Sequence, residues 1–96
     1  MTASVVIYTT TYCPYCHQAK QLLSRKGALF NEINVEDRPD LRSFLVSAAG
    51  QRTVPQVFIN GQSVGGFSDI AALDRRGELD RLLAAPPPAD LAALPT

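Results

Sequence analysis

The chain has 96 residues, of which 46% are hydrophobic and 19% are charged, a composition ordinary for a single globular domain. Nine Lys and Arg residues balance nine Asp and Glu residues, so no overall field attracts the protein to nucleic acid or to anionic lipid. No apolar stretch approaches the roughly 18 residues that a membrane span requires. Composition therefore argues against a nucleic-acid partner and against a membrane protein.

The two cysteines, Cys13 and Cys16, are the only ones in the chain. The segment Met1–Tyr8 lacks the basic region and the longer apolar run of a secretory signal, so we expect a cytoplasmic protein. Persistent structural disulfides are rare in that compartment. A bridge between Cys13 and Cys16 would also close too small a loop to stabilise the fold much. We therefore expect the pair to perform redox chemistry.

The first half of the chain alternates between strand and helix signals. Val5–Tyr8 is a short β-branched run that predicts a buried strand. Pro14 suits the first turn of a helix, and Gly27 supplies its end. Phe30–Val35 predicts a second strand. A second, amphipathic helix ends at Gly50, and its apolar positions are Leu41, Phe44, Leu45, Ala48 and Ala49.

The second half begins with a hairpin signal. Val57–Ile59 predicts the third strand, and Asn60-Gly61 is a two-residue turn that leads to a short strand around residues 63–64. A helix follows, for which Ser68 or Asp69 is the expected N-terminal cap.

A terminal helix is predicted over Glu78–Ala84. The Pro- and Ala-rich segment after it is expected to be a frayed tail in which Leu91 and Leu94 dock weakly. We therefore divide the chain into one domain over residues 1–85 and a tail over residues 86–96. Two βαβ-type steps followed by a hairpin predict an α/β protein with a four-stranded mixed sheet flanked by helices, which is the thioredoxin arrangement.

Cys13-Pro14-Tyr15-Cys16 lies where the first strand passes into the first helix. A helix N-terminus has unpaired N–H groups and a partial positive charge, which favour a thiolate at Cys13. Cys16, one turn inside the helix, is expected to be more buried and protonated. Cys13 would attack a disulfide, and Cys16 would then displace the mixed disulfide and leave a Cys13–Cys16 bond.

The pair permits three other interpretations, which are a buried core position, haem attachment and zinc binding. Free cysteines are often simply buried in a core. The pair and His17 together match the haem c attachment pattern CxxCH, although the only methionine is Met1. Cys13, Cys16 and His17 fall short of the four ligands of a structural zinc site, and we expect no metal site.

Two later segments have features of a peptide-binding groove. A cis Val54–Pro55 bond ahead of the third strand would leave the N–H and C=O of Val54 free to pair with a peptide-like substrate. Gly65-Gly66-Phe67-Ser68-Asp69 opens a helix, whose N–H groups suit a carboxylate, while the Asp69 side chain suits an ammonium group. Each segment can also be ordinary structure, since Val-Pro is a common loop-to-strand junction and the glycine turn can simply cap its helix.

Taken together, these motifs resemble those of the glutaredoxin family in order and spacing, over about Val5 to Leu83. The motifs are Cys13-Pro14-Tyr15-Cys16, Thr53-Val54-Pro55-Gln56-Val57-Phe58-Ile59 and Gly65-Gly66-Phe67-Ser68-Asp69. The resemblance implies a thioredoxin fold, a cis Pro55 and a glutathione groove between the three segments. The residues it implies for binding glutathione are Tyr15, Arg42, Thr53, Val54, Pro55, Gly66, Phe67, Ser68 and Asp69.

The resemblance also implies an activity. Cys13 and Cys16 would reduce protein disulfides and protein–glutathione mixed disulfides, with glutathione as the electron donor and no tightly bound cofactor. The partners would be glutathione and disulfide-containing or glutathionylated proteins, and we expect a monomer. Thr10 departs from the family, because many members have a lysine there that favours the thiolate. Phe67 stands where some members have a cysteine.

Three alternative functions stay open. One is a glutaredoxin-like hydrogen donor that thioredoxin reductase reduces instead of glutathione. Another is a carrier in which two chains share a [2Fe–2S] cluster through Cys13 and glutathione. The last is a redox-inert binding module that retains the fold.

Overall fold

The computed structural model describes residues 2–96. Its strands and helices follow the predicted order, and they are β1 (Val5–Thr9), α1 (Pro14–Arg25), β2 (Asn31–Asn34), α2 (Pro39–Ala49), β3 (Gln56–Ile59), β4 (Gln62–Gly65), α3 (Phe67–Arg75) and α4 (Glu78–Ala84). The second strand is one residue shorter at each end than predicted, and the third strand gains Gln56. No helix within residues 2–96 is both long enough and apolar enough to cross a membrane.

The sheet has the order β2-β1-β3-β4, with β1 parallel to β2 and antiparallel to β3. β3 and β4 form the predicted hairpin. Every residue of β1 is buried, which explains its continuous apolar run, because a central strand covered on both faces shows no polar alternation. The fold is therefore the predicted four-stranded mixed sheet flanked by helices.

Successive side chains of β1 point into two separate cores. Val5 and Ile7 belong to the core that also contains buried residues of α1, α3 and α4, whereas Val6 and Tyr8 belong to the core that contains buried residues of α2. The second core contains an aromatic cluster, in which the ring of Tyr8 lies 5.8 Å from that of Phe44 and 5.6 Å from that of Phe58. The two cores hold β1 rigidly between helical layers.

Turn chemistry explains most of the element boundaries. Asn60 and Gly61 have φ values of 51° and 80°, as a two-residue hairpin with a type I′ turn requires. The predicted cap of α3 is wrong, because the N-cap residue is Gly66 and not Ser68 or Asp69. Asp69 instead reaches back from inside the helix, and its Oδ2 accepts a hydrogen bond of 2.9 Å from the Gly66 N–H. Ala48 is exposed, so the buried face of α2 is narrower than predicted.

The C-terminal tail, residues 86–96, lies against the α2 side of the sheet. Leu94 packs against the core that contains Tyr8, and the Tyr8 hydroxyl donates a hydrogen bond of 2.7 Å to the Pro95 carbonyl oxygen. Leu91 and Leu94 are both half-buried. The predicted docking of these leucines is therefore confirmed, and the predicted fraying is wrong. The reason is that Val6 and Ile33 leave apolar surface on this face that the tail covers.

The first testable prediction concerns the tail. Leu94→Ala is expected to lower the free energy of unfolding by about 1–2 kcal/mol, because it removes a half-buried apolar side chain from the sheet. Leu29→Ala is the matched control, since Leu29 is 87% exposed. Urea denaturation of both full-length variants measures the difference. Equal stability of the two variants would contradict the docking of the tail.

Candidate active site

Cys13 and Cys16 are joined by a disulfide whose Cα atoms lie 5.1 Å apart. Cys13 is the N-cap of α1, with extended backbone angles, and Pro14 is the first residue of the helix. The Cys13 Sγ accepts a hydrogen bond of 3.0 Å from the Cys16 N–H. Cys13 therefore places its sulfur where α1 has unpaired N–H groups and partial positive charge, an environment that favours the thiolate.

The two sulfurs differ in their access to solvent. Cys13 is half-buried, whereas Cys16 is only 1% exposed and lies on the buried face of α1 with Ala19. A bulky disulfide substrate can thus approach Cys13 and not Cys16. This difference follows from the helix itself, because Cys13 precedes the first turn while Cys16 has already turned toward the core.

Val54 lies beside the disulfide. The Val54–Pro55 peptide bond is cis, as the resemblance implied. Pairing between β1 and β3 begins only at Gln56, opposite Tyr8, so the Val54 backbone is outside the sheet. Its carbonyl oxygen lies 3.9 Å from the Cys13 Sγ. The backbone of Val54 can therefore serve an extended ligand that reaches Cys13.

A groove of about 470 Å³ connects the start of α1, the segment before β3 and the start of α3. All the residues that the sequence pointed to for glutathione line this groove, with the exception of Arg42. The lining residues are Tyr15, Gln51, Thr53, Val54, Pro55, Gln56, Gly66, Phe67, Ser68 and Asp69. The tertiary fold thus brings together three segments that are distant in sequence.

Arg42 does not line the groove. Its Nη1 donates a hydrogen bond of 3.0 Å to the Arg52 carbonyl oxygen, so the side chain connects α2 to the loop that precedes Val54. Gln51 and Gln56 do line the groove and were not predicted. In the sequence, Gln56 stands out only as a polar residue at the start of an otherwise apolar run. A glutamine at the end of a strand is too common to predict a binding site.

Two aromatic rings form one wall of the groove. Tyr15 and Phe67 stack with their ring centroids 6.5 Å apart and their planes 27° apart. Tyr15 nevertheless stays 63% exposed, and Tyr12, next to Cys13, is 92% exposed. Exposed aromatic side chains beside a reactive sulfur provide rigid apolar surface for a ligand or partner chain.

The turn that precedes α3 also lines the groove, and it depends on glycine. A Cβ atom at Gly66 would lie only 3.2 Å from the Pro55 carbonyl oxygen, so glycine lets the α3 turn approach the segment before β3. Gly65 has a φ of +97°, and a Cβ there would collide with the Asp69 carboxylate. The compact turn keeps that carboxylate at the mouth of the groove, where it can also meet a positively charged ligand group.

Hydrogen bonds from β2 hold the chain just before Cys13. The Glu32 carboxylate accepts a bond of 2.7 Å from the Thr9 hydroxyl and a second bond from Lys20 of α1. Burial acts to raise the pKa of Glu32, but these hydrogen bonds and the charge of Lys20 outweigh it and hold the pKa below its usual value. Next in the chain, the Thr11 N–H donates to the Glu36 carboxylate at 3.2 Å. The end of β1 is therefore tied to β2, and the loop before Cys13 is tied to the turn that follows β2.

Comparison with known proteins agrees with this geometry. Residues 5–64 match the family model described as glutaredoxin. The chain is 56% identical over 81 residues to the glutaredoxin of Pseudomonas aeruginosa, which covers 84% of this chain and 96% of that protein. It is 49% identical over 81 residues to glutaredoxin 3 of Escherichia coli strain K12, which covers 84% of this chain and 98% of that protein.

The chain belongs to the glutaredoxin family. Solved glutaredoxin structures have the same fold. The buckwheat glutaredoxin–glutathione complex superimposes with a TM-score of 0.79 at 34% identity, over 84% of this chain and 76% of that one. The solution structure of Brucella melitensis glutaredoxin gives a TM-score of 0.77 at 49% identity, over 85% of this chain and 89% of that one.

Glutaredoxins are thiol–disulfide oxidoreductases that use glutathione as the reductant, and the Cys13–Cys16 pair is the redox centre of this one. The comparisons do not favour the two alternatives of a donor reduced by thioredoxin reductase and a [2Fe–2S] carrier. His17 lies on the exposed side of α1. Residues 2–96 contain no cluster of three or more His, Cys, Asp or Glu side chains that could hold a metal ion.

Proposed function

We propose that Cys13 is the nucleophile of this glutaredoxin and that Cys16 is the resolving thiol. The observation that carries this assignment is the different environment of the two sulfurs, since Cys13 caps α1 at a half-exposed position and Cys16 is buried. A thiolate at Cys13 is stabilised by the Cys16 N–H and by the helix. A thiol at Cys16 is reached only by a sulfur already attached to Cys13.

The proposed reaction has four sulfur exchanges. The Cys13 thiolate attacks one sulfur of a protein disulfide, forms a mixed disulfide and releases the other sulfur as a thiolate. Cys16 then loses its proton to the released protein thiolate and attacks the Cys13 sulfur, which releases the reduced protein and leaves the Cys13–Cys16 disulfide. One glutathione thiolate opens that disulfide at Cys13, and Cys16 takes up a proton. A second glutathione thiolate attacks the glutathione bound to Cys13, so that oxidised glutathione leaves and the Cys13 thiolate returns.

A protein–glutathione mixed disulfide requires only part of this sequence. The Cys13 thiolate attacks the glutathione sulfur, the protein thiolate leaves, and a second glutathione releases oxidised glutathione. Cys16 takes no part in these steps. This route needs a site that holds the glutathione moiety with its sulfur next to Cys13.

We propose that the groove beside the disulfide is this glutathione site. Glutathione is a short peptide, so the free Val54 backbone suits its extended chain. The N–H groups at the start of α3 suit its γ-glutamyl carboxylate, and Asp69 suits its ammonium group. A buckwheat relative has been crystallised as a complex with glutathione, which supports the assignment. The remaining proposed contacts are the Tyr15 and Phe67 wall, Thr53, Pro55, Gly66 and Ser68.

The cellular setting is part of the proposal. Disulfide-containing and glutathionylated proteins would be the substrates, in the cytoplasm, where glutathione keeps thiols reduced. We propose that the protein acts as a monomer and that the catalytic domain is residues 1–85. The tail over residues 86–96 would then contribute stability and not chemistry.

Substitution of each cysteine tests the assignment of roles. Cys13→Ser is expected to abolish both reactions, because it removes the nucleophile. Cys16→Ser is expected to lose more than about tenfold in reduction of a peptide with an internal disulfide, yet to keep removal of glutathione from a glutathionylated peptide. Both rates are measured with glutathione, glutathione reductase and NADPH. Each variant is the matched control of the other, and an active Cys13→Ser variant would reverse the roles.

The role of Asp69 is tested by removing its charge while keeping its capping oxygen. Asp69→Asn is expected to raise the KM for glutathione roughly three- to tenfold, since one charge-assisted contact to the ammonium group is lost. For a glutathione analogue without that ammonium group, the wild type and the variant should have the same KM. Asp90→Asn, at an exposed position of the tail, is the control. Equal loss with both ligands would show that Asp69 acts only as a helix cap.

A further inference from the structure

Gln56 is a buried polar side chain that the proposed chemistry does not use. It is only 2% exposed and begins β3, whose four residues are all buried. Burial of an amide without hydrogen bonds is costly, whereas an apolar residue of similar size would be buried at no such cost. A glutamine at this position therefore calls for a reason other than core packing.

The hydrogen bonds of Gln56 supply that reason. Its Nε2 lies 3.4 Å from the Gln51 Oε1 and 3.4 Å from the Thr53 Oγ1. An amide group has two N–H donors, so each can serve one of these acceptors. Both acceptors are exposed residues of the loop between α2 and β3. One buried side chain thus holds two points of an exposed loop.

A second contact holds the same loop from the other side. Arg42 of α2 donates to the Arg52 carbonyl oxygen at 3.0 Å, between the two residues that Gln56 contacts. The loop is therefore attached to the sheet through Gln56 and to α2 through Arg42. Residues 51, 52 and 53 therefore each accept a hydrogen bond from a residue outside the loop, and these bonds restrict their conformations before any ligand binds.

The loop leads directly to the backbone that faces the redox centre. Val54 follows Thr53, and its carbonyl oxygen lies 3.9 Å from the Cys13 Sγ. Val54 has no partner in the pairing of β1 and β3, which starts at Gln56. Its position therefore depends on the flanking segments, one of which is the loop that Gln56 holds.

We propose that Gln56 is a positioning residue for glutathione. Its carboxamide holds residues 51–53, and so presets the Val54 backbone for pairing with the ligand. A preset backbone reduces the entropy that binding has to overcome. The inference rests on the proposed glutathione site, and it assigns to Gln56, which also lines the groove, the role of keeping the loop of that site in place.

Gln56→Met tests the proposal, because methionine keeps the length and approximate volume of glutamine and removes both donors. The KM for glutathione is expected to rise roughly three- to tenfold, the range that one or two hydrogen bonds correspond to. The kcat and the alkylation rate of Cys13 by iodoacetamide are expected to stay within about twofold, since the sulfur and α1 are untouched. Gln62→Met, the same change at an exposed position of β4, is the matched control.

A double substitution shows whether Gln56 acts through its acceptors. In a Gln51→Met/Thr53→Val background, adding Gln56→Met is expected to change the KM by less than about twofold, because both acceptors are already gone. A full additional effect in that background would overturn the proposal. So would a fall in kcat and in alkylation rate together, which would indicate general damage to the site.

Hydrogen exchange of the ligand-free protein gives a readout that is independent of glutathione. The backbone amides of residues 51–54 are expected to exchange several-fold faster in Gln56→Met, with those of β1 unchanged. Unchanged exchange in the loop would overturn the positioning role, even if the enzyme is active. Absence of glutathione-dependent turnover in the unsubstituted protein would instead overturn the proposed function, so the two failures are distinguishable.

Discussion

Strand β1 is covered on both faces and paired on both edges, and the rest of the molecule is arranged around it. Its side chains alternate between a core with α1, α3 and α4 and a core with α2. Because neither face can move without opening a core, the carboxyl end of β1 is held in place. That end delivers the chain to Cys13 after a short loop, which accepts support from Glu36 in the turn after β2. The position of the redox centre thus depends on a strand that is buried along its whole length.

The division of labour between the two cysteines follows from the geometry of one helix turn. The residue before the first turn of α1 faces the groove, while the residue three positions later faces the core. The Cys16 N–H, in the first turn of the helix, donates its hydrogen bond to the Cys13 Sγ. The proposed activation of Cys13 and the burial of Cys16 are therefore consequences of where the helix begins, and they need no charged side chain. This explains how the site can be built with Thr10 in the place of a lysine.

The groove that we propose for glutathione has a different origin, since its lining comes from separate segments. The turn before α3 approaches Pro55 closely because Gly66 has no side chain, and Asp69 accepts a hydrogen bond across that turn. On the other side, an exposed loop contributes Thr53 and leads to Val54. Such a loop would be mobile if it were held only by its own backbone. The contacts from Gln56 and Arg42 give it fixed partners in the sheet and in α2.

Local patterns were sufficient for the order of the elements, the hairpin at Asn60-Gly61 and the place of the cysteine pair. These features depend on periodicity, backbone conformation and the start of a helix, which a few neighbouring residues specify. The family motifs also pointed to most residues that line the groove. The predicted cap of α3 was wrong, because the Asp69 carboxylate accepts a hydrogen bond from the N–H three residues earlier. In the sequence, such a residue cannot be distinguished from an N-cap.

Contacts between distant segments were beyond the reach of such patterns. The tail was expected to fray on its composition, yet Leu94 and Pro95 find partners on the sheet, including the Tyr8 hydroxyl. The hydrogen bond from Arg42 to the Arg52 carbonyl oxygen likewise left no sign in the sequence. The sequence did not indicate a role for Gln56, since that role depends on the two side chains that the fold places beside it. The sequence specified that Cys13 precedes the first turn of a helix and that Cys16 lies inside it, whereas the packing of separate segments decided what holds the groove next to them, because long-range partners leave no local periodicity.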